Sequence, residues 1–154
     1  MGFTIQPGFS MDSINKIVND WTGNIQKVIL TQFKYIGEAF VKNARDSGDY
    51  LDQTGNLRSS IGYIIVYNGN IVETNFKQAG KGTDKSTGVA KAQEYAQEIA
   101  GEHPRGYVLI CVAGMEYAAI VESRGRDVIS NSAINAKRDL EKAIASLDKK
   151  LGKV

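Results

Sequence analysis

Apolar residues recur at spacings of three and four at Ile14, Ile17, Val18, Trp21, Ile25, Val28, Ile29, Phe33, Ile36, Phe40 and Val41, the period of one helical face. With Ser10 placed as an N-cap after Pro7 and Gly8, this spacing predicts a helix from Met11 to Ala44. At about 1.5 Å per residue it would reach about 51 Å. A compact domain of this size needs less, so the helix is expected to kink or to serve a neighbour. Thr22-Gly23 is the expected interruption, because glycine inside a helix costs about 1 kcal/mol relative to alanine.

From Asp46 to Asn56 the chain is polar and carries two glycines, the composition of a loop. The run Ile61 to Tyr67 is rich in β-branched and aromatic residues, Asn68-Gly69-Asn70 tolerates positive φ, and Ile71 to Phe76 returns, which predicts a β-hairpin. Lys77 to Thr87 reads as a Gly- and Lys-rich loop. Val89, Ala92, Ala96, Ile99 and Ala100 then mark a weakly amphipathic helix that stops near Gly101. Tyr107 to Ala113 is a continuous apolar run, expected as an interior strand against the hairpin. Residues 115–122 fit a fourth strand or a short helix equally well. A final amphipathic helix is expected from Asp127 to Leu151, with Ile134, Leu140, Ile144, Leu147 and Leu151 on one side.

The order helix, hairpin, helix, strand, helix cannot make successive right-handed βαβ units. It predicts an α+β fold, with a long N-terminal helix, a middle helix and a C-terminal helix on a small, mainly antiparallel sheet. A length of 154 residues is that of one domain, and residues 77–105 are expected as an insertion carrying a loop and a helix.

Charge changes this picture little. The net charge is +2, well short of a duplex-coating protein. Its one concentration is the last helical segment, where Arg126, Lys137, Arg138, Lys142, Lys149, Lys150 and Lys153 face Asp127, Asp139, Glu141 and Asp148. A basic helix end complements the helix dipole, and a passing contact with DNA is the alternative reading. The single Cys111 cannot make an internal disulfide, so a reducing compartment suits the chain. Met1 to Ser10 lacks the pattern of a secretory signal, and no window is long and apolar enough for a membrane span, so the expectation is a soluble protein made in the cytoplasm.

Candidate chemistry is sparse. Gly80-Lys81-Gly82-Thr83-Asp84-Lys85-Ser86 sits between a strand and a helix, the setting of a phosphate-binding loop, and Lys81, Lys85 and Ser86 would carry a nucleotide-dependent enzyme. Aligning Lys85-Ser86 with the required Lys-Ser/Thr puts Ala79 and Asp84 where glycines belong, and a carboxylate there repels a triphosphate. His103 is the only histidine, which removes the common zinc arrangements and places an exposed turn residue beside Pro104. Asp46, Asp49 and Asp52 lie three apart, unlike the alternating ligands of a calcium loop, so a solvated loop is expected. No cofactor, metal or catalytic constellation is expected.

Two short segments are more specific. In Thr54-Gly55-Asn56-Leu57-Arg58-Ser59-Ser60-Ile61, Gly55 permits positive φ, Thr54 or Asn56 can bond nearby amides, and Leu57 can anchor while Arg58 points elsewhere. In Tyr117-Ala118-Ala119-Ile120-Val121-Glu122, continuing into Ser123-Arg124-Gly125, Tyr117, Ile120 and Val121 can pack while Glu122 faces out and Gly125 ends the segment. Together these resemble the paired signatures of the bacteriophage tail-completion or neck proteins, which join head to tail in long-tailed phages. The departures are Ser123-Arg124-Gly125-Arg126-Asp127, where the family has a Gly-Thr step and a Pro-rich approach to the last helix, and the long 77–105 segment.

The resemblance implies a virion structural protein, not an enzyme, assembled in the host cytoplasm. Its implied partners are copies of itself in a ring, the connector and the tail tube. It singles out Thr54, Gly55, Asn56, Leu57, Arg58, Tyr117, Glu122, Arg124 and Gly125 as interface or structural residues. Arg58 and Glu122 are expected to pair, within a subunit or across a ring interface, since opposite charges at a partly buried site form directional hydrogen bonds.

Overall fold

The computed structural model describes Gly8 and residues 10–152, so Lys153 and the Met1 to Ser10 stretch, Pro7 included, fall outside it apart from Gly8 and Ser10. The chain divides into two compact units, Met1–Thr31 and Gln32–Val154. Helix α1 (Met11–Ser47) contributes residues to both.

Ser10 is the N-cap of α1, as its position suggested: the Ser13 N–H donates to its Oγ at 3.1 Å. The expected break at Thr22-Gly23 does not occur, and α1 stays helical over 37 residues. The Thr22 hydroxyl donates to the Val18 carbonyl at 2.8 Å, and the missing Gly23 side chain faces open space. One glycine's penalty is too small to interrupt a cooperative helix of this length. In the first unit, no described residue of α1 is fully buried; burial begins at Phe33.

The second unit holds the core. After α1 come the short helix α2 (Asn56–Ser59), strands β1 (Ile61–Tyr67) and β2 (Asn70–Asn75), helix α3 (Ser86–Ala100), strand β3 (Tyr107–Ala113), helix α4 (Ala118–Ser123) and helix α5 (Ser130–Leu151). The fold is α+β, as expected. The hairpin turns on Asn68 and Gly69, at φ 48° and 79°, the two positive values that a tight two-residue turn requires. Residues 115–122 resolve toward helix.

The sheet order is β2-β1-β3, antiparallel throughout. β1 is therefore the central strand, and β3, expected in the interior, is an edge. The difference is one of burial: β1 is fully buried at six of its seven positions, whereas most of β3 is only partly covered. Burying each Val or Ile side chain stabilises by about 1.5–3 kcal/mol, which makes β1 the energetic centre of the unit.

Helices cover both faces of β1. On one, Gly37 of α1 lies so close to the Tyr63 ring that a methyl group there would stand 2.7 Å from it. The ring's hydroxyl donates to Glu38 at 3.0 Å. Phe33 meets Tyr107 edge to face, and Tyr107 stacks on Tyr67. On the other, Ala92, Ala96 and Ala100 form a small-residue stripe of α3 against Ile64, Val66, Ile110 and Val112. The 77–105 segment, expected as an insertion, thus supplies one wall of the core.

The last helix begins at Ser130, later than the expected Asp127, because residues 127–129 make its capping turn. The Asn131 N–H donates to Asp127 Oδ1 at 3.0 Å. Of the 22 residues of α5 only Ser132 is fully buried, while Ile134 and Ile144 are 65% and 51% exposed. No helix among the described residues is long and apolar enough to cross a membrane.

Candidate functional site

Gly55 adopts φ +76°, the left-handed region in which a side chain is strained, and its missing Cβ would fall 2.3 Å from the Lys81 carbonyl oxygen. The turn starts α2, whose first amides are satisfied from upstream: Asp52 accepts from the Arg58 N–H at 2.8 Å and the Leu57 N–H at 3.4 Å. Asp52 is thus a capping carboxylate, not part of a solvated acidic loop. The Thr54 Oγ1 accepts from the Asn56 N–H at 3.3 Å, and Leu57 is fully buried, as the sequence implied.

Arg58 does point elsewhere, back to the end of α1. Its Nη2 donates to the Gly48 carbonyl at 2.6 Å and its Nε to the Arg45 carbonyl at 3.3 Å, while the guanidinium lies 4.5 Å from the Tyr50 ring centroid. A cation on the last carbonyls of a helix is favoured by both hydrogen bonding and the helix dipole. Arg45, in turn, donates to the Ile61 and Lys77 carbonyls at 2.8 and 2.7 Å, tying the same helix end to β1.

Asn56 links this turn to the start of α3. Its Oδ1 accepts from the buried Gly88 N–H at 2.8 Å, and its Nδ2 donates to Asp84 at 3.2 Å. Asp84 also accepts from the Thr87 hydroxyl at 2.8 Å and from the Ser86 hydroxyl at 3.2 Å. The Thr87 hydroxyl first, then Asn56, holds the Asp84 carboxyl below its ordinary range. The backbones interlock as well: a Cβ at Gly82 would meet the Thr54 carbonyl oxygen at 2.2 Å, and one at Gly88 the Asn56 carbonyl oxygen at 2.1 Å. In a phosphate-binding loop the helix-start amides face the ligand. Here Asp84 Oδ1 takes the Thr87 N–H at 3.4 Å.

The second segment caps another helix. Glu122 Oε1 accepts from the Val128, Ile129 and Ser130 N–H groups at 3.2, 2.8 and 3.0 Å, and its Oε2 from the Ser130 hydroxyl at 2.8 Å. Burial pushes this carboxyl up, but the hydrogen bonds from Ile129, Ser130 and Val128 outweigh it and leave the acid stronger than usual. Gly125, at φ +80°, ends α4 by donating to the Glu122 carbonyl at 2.9 Å. Arg124 is exposed beside it. Ile120 is exposed and Ala118 is the buried residue of α4; of the three residues expected to pack only Val121 is partly covered, and Glu122, expected to face out, is held against the amides that start α5.

The two segments approach each other at Tyr117, whose phenol lies near Asp52 and Thr54; burial, then the Asp52 charge, raises it, and Thr54 opposes them. Arg126 reaches Asp49 at 3.5 Å, a tie between residues that flank the two segments. The expected Arg58–Glu122 ion pair is absent within the subunit, because Arg58 is spent on carbonyls at the end of α1 and Glu122 on amides at the start of α5. Both residues are caps for helix ends of opposite polarity.

Sequence reasoning missed Asp52, Asp84 and Arg45, whose partners are 2 to 32 residues away. Only Asp84 left a signal, as a carboxylate three residues before Thr87 at a helix start. Among the described residues no group of three or more His, Cys, Asp or Glu side chains is placed to hold a metal ion. What the junction can do chemically is position four helix ends and one strand. Comparisons with family models, curated proteins and solved structures find no match to this chain.

Proposed function

We propose that this chain is a phage virion structural protein of the tail-completion or neck type, which works by assembling with copies of itself into a ring at the head-tail junction and docking onto connector and tail-tube proteins. The observation that carries the reading is α5, an amphipathic helix whose core contributes one buried residue, Ser132, while Ile134 and Ile144 face solvent. Ile120 on α4 is exposed as well. Apolar surface left over on a structured domain is available for contact. A closed ring uses such surface through heterologous contacts, one face of each subunit meeting a different face of the next.

The two turns that carry the resemblance fit this role as scaffold: by capping α1, α2, α3 and α5 they hold the helices rigid, so that association loses little conformational entropy. Light scattering after size exclusion, alone and with portal complex or tail tube, tests the proposal. The expected result is a discrete oligomer that also forms a stable complex with a phage partner. A strict monomer that binds neither overturns it.

A further inference from the structure

The N-terminal half of α1 carries an unbroken alternation of four and three between apolar positions. Met11, Val18 and Ile25 take one register position, a, and Ile14, Trp21 and Val28 the other, d. This seam lies within the first unit. Met11 is 69%, Val18 51%, Trp21 50% and Val28 46% exposed. A mean spacing of 3.5 residues is the signature of helices that supercoil around one another, and it differs from the wider stripe a helix needs for a globular core.

The flanks argue for a second copy as the occupant. The e and g positions beside the seam are Asn15, Ile17, Thr22, Asn24, Ile29 and Thr31, with no charge among them. Asp12, Lys16, Asp20 and Lys27 all fall at b, c or f, away from the seam. Identical chains can therefore approach without like-charge repulsion, whereas a charged partner would find nothing to pair with. The β-branched residues occupy both a (Val18, Ile25) and d (Ile14, Val28), a distribution that shifts parallel coiled coils from two strands to three or more. A bundle of three or more parallel helices is a closed cyclic contact, the symmetry a ring requires.

We infer that residues 11–28 of α1 form a parallel, self-complementary coiled coil with the same segment of neighbouring copies, with more than two strands. The inference rests on the self-assembly part of the reading above and not on the identity of the viral partners. In the assembled bundle the d-position indole of Trp21 enters a hole formed by the facing helix and loses its water.

Trp21 is the only tryptophan, so its emission reports this seam alone. The experiment is a dilution series of the full chain followed in parallel by light scattering and tryptophan fluorescence, repeated for Val18→Glu with Val28→Glu, and for Lys16→Gln at an f position. The expected result is an oligomer of three or more copies with short-wavelength emission, a shift to longer wavelength on dilution that coincides with the fall in mass, loss of both in the double variant, and neither lost in Lys16→Gln. Circular dichroism checks that the double variant stays folded; Glu favours helix more than Val, and neither site is in the core. Trp21 emission that stays at short wavelength in a monomer, meaning that the chain covers its own seam, overturns the inference. So does an oligomer that the double variant leaves intact. That last outcome would leave ring assembly standing, whereas a seam-dependent oligomer that binds no portal or tail tube would keep the coiled coil and remove the phage role.

Discussion

The Asn56 side chain accepts a hydrogen bond from the Gly88 N–H at 2.8 Å, and the Asn56 backbone carbonyl oxygen lies 2.1 Å from where a Gly88 side chain would begin. The polar and the steric halves of this contact depend on each other. Only glycine lets α3 approach closely enough for the buried amide to reach Asn56. Gly88→Ala should lower stability by about 1–3 kcal/mol, since the obstructing atom is backbone and cannot swing away. Asn56→Ala should lose about 1–3 kcal/mol by leaving the Gly88 N–H buried and unpaired. Urea unfolding midpoints measure both, and a wild-type midpoint in either variant contradicts the junction described.

Arg58 should not tolerate lysine. A single ammonium cannot reach the Gly48 and Arg45 carbonyls together while lying flat on Tyr50, so Arg58→Lys is expected to lose about 1–3 kcal/mol although charge is kept. Because Arg58 and Glu122 share no partner, the Arg58→Lys and Glu122→Gln effects should add to within about 0.5 kcal/mol. A coupling above about 1 kcal/mol in a double-mutant cycle would mean that the two side chains interact after all.

Glu122 should make the start of α5 sensitive to acid. Its carboxyl is stronger in the folded chain than its ordinary value of 4.5. The stabilisation is therefore present above that ordinary value and is lost as pH falls through the lowered one. At neutral pH Glu122→Gln should lose about 0.5–2 kcal/mol, the range of a helix cap. Below the lowered value the two proteins should converge. Thermal midpoints of both from pH 3 to pH 7 check the sign: a gap that widens on acidification is the wrong direction.

Cys111 should be slow to react. Burial pushes its thiol up to about 12, so almost none is thiolate at pH 8. A disulfide reagent at that pH should label the denatured chain at once and the native chain slowly. Immediate stoichiometric labelling of the native protein would mean that the partly buried thiol is not shielded as described.

The α+β class, α1, the hairpin and α3 were legible in the residues because each rests on a short-range signal. Apolar period, turn glycines and the Ser10 cap act within a few positions of themselves. Gly55 was readable for the same reason, since positive φ is a property of one residue. The roles of Arg58 and Glu122 were not. Charge alone suggested that they meet, but the partners they use are carbonyls and amides at the ends of α1 and α5, and backbone polarity at a helix end leaves no mark in residue identity.

The linear chain specified which segments coil, pleat and turn, since those choices are set by local sterics and by hydrophobic period. Folding assigned their neighbours: it made β1 the centre of the sheet and β3 its edge, turned the 77–105 segment into a wall of the core, and brought the Lys81–Gly88 loop against Thr54–Asn56. Such pairings depend on packing and on unpaired backbone groups finding one another across tens of residues. No pattern of side chains along the chain encodes that distance.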